Sequence, residues 1–228
     1  LLSIFNPHKS FIMNRLYALL ICLLVLSCGT KSEKKPVDQD LNTAPEKELT
    51  ISKSVVSEIA FPSKDKLIIT ADSYGNIENA VVLLCHQAGF SRGEYKETAL
   101  TILDNGFASL AIDQRSGKEA NGIVNQTAKR AAEQGLGTHY LDARQDIEAA
   151  IDYLYEKNGG KQVILVGSSY SATLAMLIGT ESEKVRAVLA FSPGEYFDGM
   201  SIKDEVASLT KPTFVTSSKK EAVALTEM

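Results

Sequence analysis

Residues 167–171, Gly-Ser-Ser-Tyr-Ser, are the part of the chain whose types and order most directly suggest chemistry. They follow a short apolar run and precede small residues compatible with a helix, so the sequence predicts a strand, a sharp turn and a helix. Ser169 lies at the tip of this turn, Gly167 lets the turn approach neighbouring backbone closely, and the start of the helix favours developing negative charge. Ser169 is therefore a candidate nucleophile for a carbonyl carbon. The alternative is an ordinary strand-to-helix turn that is rich in serine.

Two further polar segments come directly after apolar runs that are typical of buried strands. Both segments begin where the apolar run stops, as residues 167–171 do. The run 80–85 leads into His86-Gln87-Ala88-Gly89, and the run 107–112 leads into Asp113-Gln114-Arg115-Ser116-Gly117.

Strand-like and helix-like patterns alternate along the chain from about residue 49 onward. Residues 54–61 and 67–71 indicate an opening β-hairpin or edge pair. The alternation predicts an α/β fold with a mostly parallel sheet, helices on both faces and right-handed crossovers. The longest irregular segment, 114–138, is polar and punctuated by glycine, and we expect it to form a rim or lid over the site.

The three polar segments, in this order and on these elements, resemble the α/β-hydrolase superfamily, in particular its monoacylglycerol-lipase and dienelactone-hydrolase-like branches. The resemblance covers about residues 80–221. It implies that Ser169 is the nucleophile and that the backbone N–H groups of Ala88 and Tyr170 hold the oxyanion. The sequence departs from the family pattern in two places, since Gln87 and Ser171 stand where the motifs usually carry glycine.

The acid of the catalytic group is also assigned by resemblance. Residues 211–221 are similar to the family's segment of proline, strand, loop and acid, in which Glu221 occupies the acid position. A carboxylate there would orient an imidazole and stabilise its protonated form. The alternatives are that Glu221 is a solvated residue beginning a helix, and that Glu195, after the preceding strand, is the acid.

A histidine is missing from the place where the family carries its general base. The family order is serine, acid, histidine, but His8, His86 and His139 all precede Glu221. We expect His86 to be a structural residue at a strand end and His139 to face solvent. The favoured interpretation is a hydrolase domain truncated at its C-terminus, so that residues 1–228 alone would be nearly inactive. A natural protein without a base is the alternative.

The residues together predict a serine hydrolase that cleaves an ester or related acyl bond of a small molecule through an acyl-enzyme on Ser169. Two other functions stay open: peptidase or acyltransferase chemistry on the same scaffold, and a non-catalytic binding lipoprotein. No His, Asp and Cys residues have the spacing of metal ligands, and we expect no metal and no cofactor. The formal net charge is −4, and the sequence has no basic patch that would indicate nucleic acid binding.

The N-terminal segment indicates export. A signal-peptide pattern starts at Met13, with Arg15, the apolar run 16–26 and small residues before Cys28, and its end resembles a bacterial lipobox. This resemblance implies that Cys28 carries lipid, which would anchor the protein to a membrane of the bacterial cell envelope, in the outer membrane or facing the periplasm. A plain secretory signal is the alternative.

Four segments follow from these patterns. We expect residues 1–12 to be upstream sequence without a structural role, and residues 13–28 to be the signal peptide with its lipobox. Residues 29–48, which mix charge with low hydrophobicity, predict a disordered tether. Residues 49–228 are long enough for one well-cored domain, the incomplete α/β-hydrolase domain.

Overall fold

A computed structural model describes residues 55–79 and 81–227 of the chain. They belong to one structural unit, Lys53–Met228. The upstream segment 1–12, the signal peptide with Cys28 and the tether 29–48 lie outside the described residues. Within the described ranges, no helix is both long and apolar enough to cross a bilayer.

The strands of the described chain form one large sheet and one small hairpin. The strands are β1 (Val56–Pro62), β2 (Ile68–Tyr74), β3 (Val81–Cys85), β4 (Ala108–Ile112), β5 (Glu119–Ala120), β6 (Ile123–Val124), β7 (Val163–Ser168), β8 (Val185–Phe191) and β9 (Thr213–Thr216). The large sheet has the order β1-β2-β4-β3-β7-β8-β9. β1, β2 and β4 pair antiparallel, whereas β4, β3, β7, β8 and β9 run parallel.

Helices connect the parallel strands. The helices are α1 (Lys96–Asp104), α2 (Gln126–Glu133), α3 (Arg144–Lys157), α4 (Tyr170–Glu181), α5 (Ile202–Glu205) and α6 (Ala222–Glu227), with 3-10 turns at Arg92–Tyr95 and Leu141–Ala143. Successive residues of a strand point to opposite faces, and Leu83 and Leu84 of β3 are both fully buried, so this strand is covered on both faces. The predicted α/β fold with a mostly parallel sheet is confirmed.

The segment 114–138 differs from the irregular loop that the sequence predicts. It contains the β5–β6 hairpin and helix α2. Asn125 caps the start of this helix, because its side chain accepts a hydrogen bond from the N–H of Ala128 at 2.8 Å. The amide of Asn125 also donates to the carbonyl of Gln114 at 2.8 Å, which holds the start of the helix against the end of β4. The polar composition of this segment therefore did not indicate helix α2, whose start is fixed by the capping residue Asn125.

Two buried arginines hold the loops at the carboxyl edge of the sheet. Arg92 pairs with Asp113 at 2.8 Å and with Asp72 at 3.0 Å. Arg115 pairs with Asp146 at 2.7 Å, and the same carboxylate accepts the backbone N–H of Arg115 at 2.9 Å. Because these arginines and carboxylates are largely out of water, losing one partner removes part of the compensation of a buried charge.

Replacing Asp146 by Asn tests this anchoring. The Asp146 carboxylate is fully buried in its pair with Arg115, so we expect Asp146→Asn to lower the free energy of unfolding by about 3 kcal/mol or more. The matched control is Asp152→Asn on the same helix, where the half-exposed ion pair with Lys184 predicts a loss below about 1 kcal/mol. Urea unfolding followed by circular dichroism measures both. Equal losses in the two variants would contradict the assignment.

Candidate active site

Ser169 joins β7 to α4 in a backbone conformation that non-glycine residues rarely adopt. Its φ is 58° and its ψ is −126°. Such a conformation costs about 1–3 kcal/mol and persists only where the surrounding structure imposes it. The first turn of α4 passes so close to Gly167 that a Cβ there would lie 2.2 Å from the carbonyl oxygen of Ser171. The turn therefore requires glycine at 167 and forces Ser169 to its tip.

Ser171, which stands in place of the family's second glycine, adds contacts that glycine could not make. Its hydroxyl accepts the N–H of Ser168 at 2.9 Å and lies 2.8 Å from the carbonyl oxygen of Cys85, to which it can donate. The side chain is fully buried. It therefore links the end of β7 to the end of β3, and the departure from the motif supports the turn.

A chain of polar contacts leads from Ser169 to the next loops of the sheet. The Ser169 hydroxyl donates to the Tyr196 hydroxyl oxygen at 3.3 Å, and Tyr196 donates to the carbonyl of Ser192 at 3.1 Å. The hydroxyl of Ser192 donates to Glu221 Oε2 at 2.9 Å. Residues from the ends of β7, β8 and β9 therefore converge on one side of Ser169.

Sequence reasoning did not single out Ser192 or Tyr196. The available signal was the position of their segment directly after β8, the strand next to β7. Ser168 and Phe191 are register partners, and the N–H of Ser169 donates to the carbonyl of Phe191 at 2.8 Å. The residues after Phe191 must therefore lie beside Ser169.

The two candidate acids have different surroundings. Glu221 is exposed, and hydrogen bonds from the hydroxyl of Ser192 and the N–H of Ser218 reach its carboxylate. Hydrogen bonds from Ser218, followed by that from Ser192, lower the pKa of Glu221 and keep it ionised. The carboxylate of Glu195 instead accepts the N–H of Ile202 at 3.0 Å, at the start of α5. Glu221 therefore meets the polar chain from Ser169, while Glu195 holds a neighbouring helix.

The loop after β3 carries the first of the two expected oxyanion donors. The N–H of Phe90 donates to the carbonyl of Gln87 at 3.2 Å, which closes a tight turn around Ala88 and Gly89. Gly89 has φ 77°, a conformation that glycine adopts without strain. Cys85 is the register partner of Gly167, so this loop leaves the sheet beside the Ser169 turn.

Tyr170 carries the second expected donor and is the first residue of α4. Its backbone N–H belongs to the initial amides that an α-helix leaves without an intrahelical partner. The Tyr170 ring is buried and stacks on Tyr140 with a centroid distance of 4.5 Å. Its hydroxyl accepts a hydrogen bond from Gln114 at 3.1 Å, which holds the first residue of α4 against the loop after β4.

Neither described histidine occupies the position of a general base. His86 is fully buried, with Nδ1 donating to the carbonyl of Gln87 at 2.8 Å and Nε2 accepting the N–H of Gln114 at 3.0 Å. This pattern fits a neutral ring, and burial lowers the pKa of His86 to about 4. His139 is exposed, and its N–H donates to Asp142.

A cavity of about 620 Å³ opens beside the Ala88 loop. Gly89 reaches its wall, and the segment 114–138 supplies most of the remaining lining, including Val124, Ala128 and Lys129. Tyr140 closes another side. The segment 114–138 thus forms a rim around this cavity, although it is built from a hairpin and a helix.

The strand order and the strained serine turn define the chain as an α/β-hydrolase. Comparison with family models identifies it further: the model described as "Serine aminopeptidase, S33" matches residues 77–226, and the chain belongs to that family. The predicted superfamily is therefore confirmed, and the protein is a hydrolase of this fold. A comparison with curated proteins gives no match.

Two solved structures illustrate the similarity in fold. An esterase from Pyrococcus furiosus is 16% identical, with a TM-score of 0.57 over 75% of this chain and 75% of that chain. Est1E from Butyrivibrio proteoclasticus is 15% identical, with a TM-score of 0.52 over 75% of this chain and 84% of that chain. At these identities the similarity establishes the fold alone.

The buried neutral His86 predicts a loss of stability in acid. Its pKa is about 4 in the folded chain against 6.5 for an unperturbed histidine, so the unfolded chain binds the extra proton between these values. The contribution of neutral His86 to the free energy of unfolding is fully present above pH 6.5. About 3 kcal/mol of the free energy of unfolding is lost as the pH falls from 6.5 toward 4. Urea unfolding at several pH values should show a shallower acid dependence for His86→Gln than for wild type. His139→Gln is the control and should follow wild type, and parallel curves for all three proteins would contradict the assignment.

Proposed function

We propose that the protein is a serine hydrolase that cleaves an ester or a related acyl bond through an acyl-enzyme on Ser169. The observation that carries this proposal is the strained turn at Ser169, with φ 58° over a glycine that tolerates no side chain. A conformation of this cost is expected where it exposes a nucleophile at the start of a helix. The family assignment supports hydrolytic chemistry at this site.

In the proposed reaction the oxygen of Ser169 attacks the acyl carbon and its proton passes to a general base. The backbone N–H groups of Ala88 and Tyr170 hold the oxyanion of the tetrahedral intermediate. Collapse of the intermediate expels the alcohol, which takes the proton from the base, and leaves the acyl group on Ser169. Water then attacks the same carbon while the base accepts its proton, and the base returns this proton to the Ser169 oxygen as the acid leaves.

The base in this proposal is a histidine that the sequence 1–228 does not supply after Glu221. Glu221 would orient that imidazole, as the resemblance implies. The lowered pKa of Glu221 supports this role, because only the ionised carboxylate stabilises an imidazolium. Two polar contacts on the Glu221 carboxylate hold it at the ends of β8 and β9, the side of the site to which the Ser169 hydroxyl points.

Replacing Ser169 by Ala tests the nucleophile. We expect the full gene product to hydrolyse a small aryl ester, and Ser169→Ala to lower kcat by about 10⁴-fold or more, because the acyl-enzyme can no longer form. The control is Ser182→Ala at the opposite end of the same helix, which should retain wild-type kcat. Residues 1–228 alone should turn over close to the Ser169→Ala rate. Equal hydrolysis by wild type and Ser169→Ala would contradict the proposal.

A specific observation favours a second candidate, a non-catalytic binding lipoprotein that retains the fold. Both ring nitrogens of His86 are engaged in buried hydrogen bonds and His139 is exposed, so neither serves Ser169 in the described residues. The full gene product separates the two candidates, since a binding protein would leave the aryl ester intact. The family's description as an aminopeptidase keeps peptidase chemistry as a third outcome, read by hydrolysis of an aminoacyl anilide.

We also propose that the protein is attached to the bacterial cell envelope by lipid on Cys28. The support is the sequence pattern of residues 13–28, in which an apolar run ends in small residues before cysteine. Several acyl chains on one cysteine give stable attachment, while a single chain binds only marginally. The anchored domain would act on small acyl substrates near the membrane surface.

Replacing Cys28 by Ser tests the anchor. In a bacterial host we expect wild type to sediment with membranes and Cys28→Ser to move to the soluble fraction, because the thiol that accepts lipid is gone. Cys22→Ser, within the apolar run of the signal, is the control and should sediment like wild type. Cell fractionation with immunoblotting measures the distribution, and an unchanged distribution of Cys28→Ser would contradict lipid attachment.

A further inference from the structure

Glu94 lies in the 3-10 turn Arg92–Tyr95, below the loop after β3. Its carboxylate oxygen Oε2 accepts the backbone N–H of Gln87 at 2.7 Å. The Ser168 side chain is among the groups that lower the pKa of this carboxyl, so it lies near the carboxylate. One acidic side chain therefore bonds to the backbone just before Ala88 and lies near the side chain just before Ser169.

The positions of these two contacts follow from the sheet. Cys85 of β3 is the register partner of Gly167 of β7, so the two strands end side by side. Gln87 directly precedes Ala88, and Ser168 directly precedes Ser169. The Glu94 carboxylate thus spans the gap between the two strand ends.

The backbone of Gln87 is held at both of its polar groups. Its carbonyl accepts the N–H of Phe90 at 3.2 Å and Nδ1 of His86 at 2.8 Å. Its N–H donates the hydrogen bond that the Glu94 carboxylate accepts. The Gln87 carbonyl and the Ala88 N–H belong to one planar peptide and point in opposite directions. The bonds to this carbonyl, with Glu94 holding the preceding peptide through the Gln87 N–H, therefore set the direction of the Ala88 N–H.

We propose that Glu94 is a positioning residue that holds the Ala88 N–H in the direction required for the oxyanion, relative to the N–H of Tyr170. This inference rests on the proposed function of Ser169. Removing one oxyanion donor costs about 10²–10³-fold in rate, so a displaced donor should cost about 10–100-fold. We expect the effect in the reaction step, because Glu94 acts on the loop backbone through the N–H of Gln87.

Burial at this position disfavours the ionised form of the Glu94 carboxylate, which indicates that the position is not selected for stability. Burial raises the pKa of Glu94 to about 6, because a carboxylate loses hydration there. The titratable groups that face it are Cys85 and Tyr95, and burial raises the pKa of both, so they are neutral at pH 8. Between pH 4.5 and about 6 the folded chain binds more protons than the unfolded chain, so this group's contribution to stability falls as the pH rises.

The experiment measures phosphonylation of Ser169 in the full gene product by an alkyl fluorophosphonate at pH 8. The serine oxygen forms a bond to phosphorus, fluoride leaves, the serine proton passes to the base, and the phosphonyl oxygen occupies the oxyanion position. Saturation kinetics give the limiting rate and the half-saturating concentration separately. The variants are Glu94→Ala, Glu94→Gln and Glu94→Asp, with Glu97→Ala, an exposed residue of the following helix, as the matched control.

We expect Glu94→Ala to lower the limiting rate about 10–100-fold with little change in the half-saturating concentration, because the loop loses its acceptor. Glu94→Gln keeps an acceptor oxygen and should stay within about threefold of wild type, with a free energy of unfolding at pH 8 no lower than that of wild type. Glu97→Ala should match wild type. If Glu94→Ala does not fold, Glu94→Asp becomes the deciding variant. Aspartate keeps the charge but is one methylene shorter, so its carboxylate is withdrawn from the loop. We then expect the limiting rate of Glu94→Asp to fall.

The outcomes separate the two proposals. A wild-type protein that fluorophosphonate does not label overturns the serine hydrolase and, with it, the role of Glu94. A labelled wild type with an unchanged limiting rate in the deciding variant overturns Glu94 alone. Variants that lose stability but keep the wild-type limiting rate per folded molecule assign Glu94 a purely structural role and also overturn the inference.

Discussion

The contact between Gly167 and the first turn of α4 is the constraint on which the site depends. A Cβ at this position would lie within 2.2–2.6 Å of three backbone atoms of residues 171 and 172. Backbone atoms in the first turn of a buried helix cannot move aside without displacing the helix. The absence of a side chain therefore lets α4 begin directly above β7, and this close crossing forces Ser169 to φ 58°.

Buried polar contacts hold the neighbouring loops against this turn. Ser171 links the ends of β7 and β3, and Arg115 and Arg92 fix the loop after β4 through carboxylates that are largely out of water. Such pairs contribute less to net stability than their number suggests, because desolvation offsets much of the attraction. Their physical effect here is to favour one position for the loop, since moving it would weaken the pairing of buried charges.

Much of the fold was predictable from local patterns. The strands Val81–Cys85 and Ala108–Ile112 lie within the apolar runs 80–85 and 107–112, because continuous apolar runs between breakers have few alternatives. The segment 114–138 was not predictable in the same way, because α2 depends on a cap at Asn125 whose amide also reaches Gln114. Its helix is short and polar, and its position is set by contacts distant in sequence.

The residues of the candidate site also differ in whether the sequence alone could predict them. Ser169 was predictable because the whole turn is encoded by consecutive residues. Tyr196, Ser192 and Glu94 reach it through the register of neighbouring strands, which sequence alone does not fix. The two candidate acids differ in their partners in space, which the sequence does not show: Glu195 accepts the N–H of Ile202 at the start of α5, and Glu221 accepts the hydroxyl of Ser192.

If an acyl group is transferred to Ser169 during turnover, rapid quenching should trap it on that residue. The full gene product would be mixed with an activated aryl ester, quenched in acid within the first turnovers and digested for peptide mass spectrometry. We expect one acyl group per chain, on the peptide that contains Ser169. Hydrolysis without an adduct, or an adduct on another residue, would contradict it.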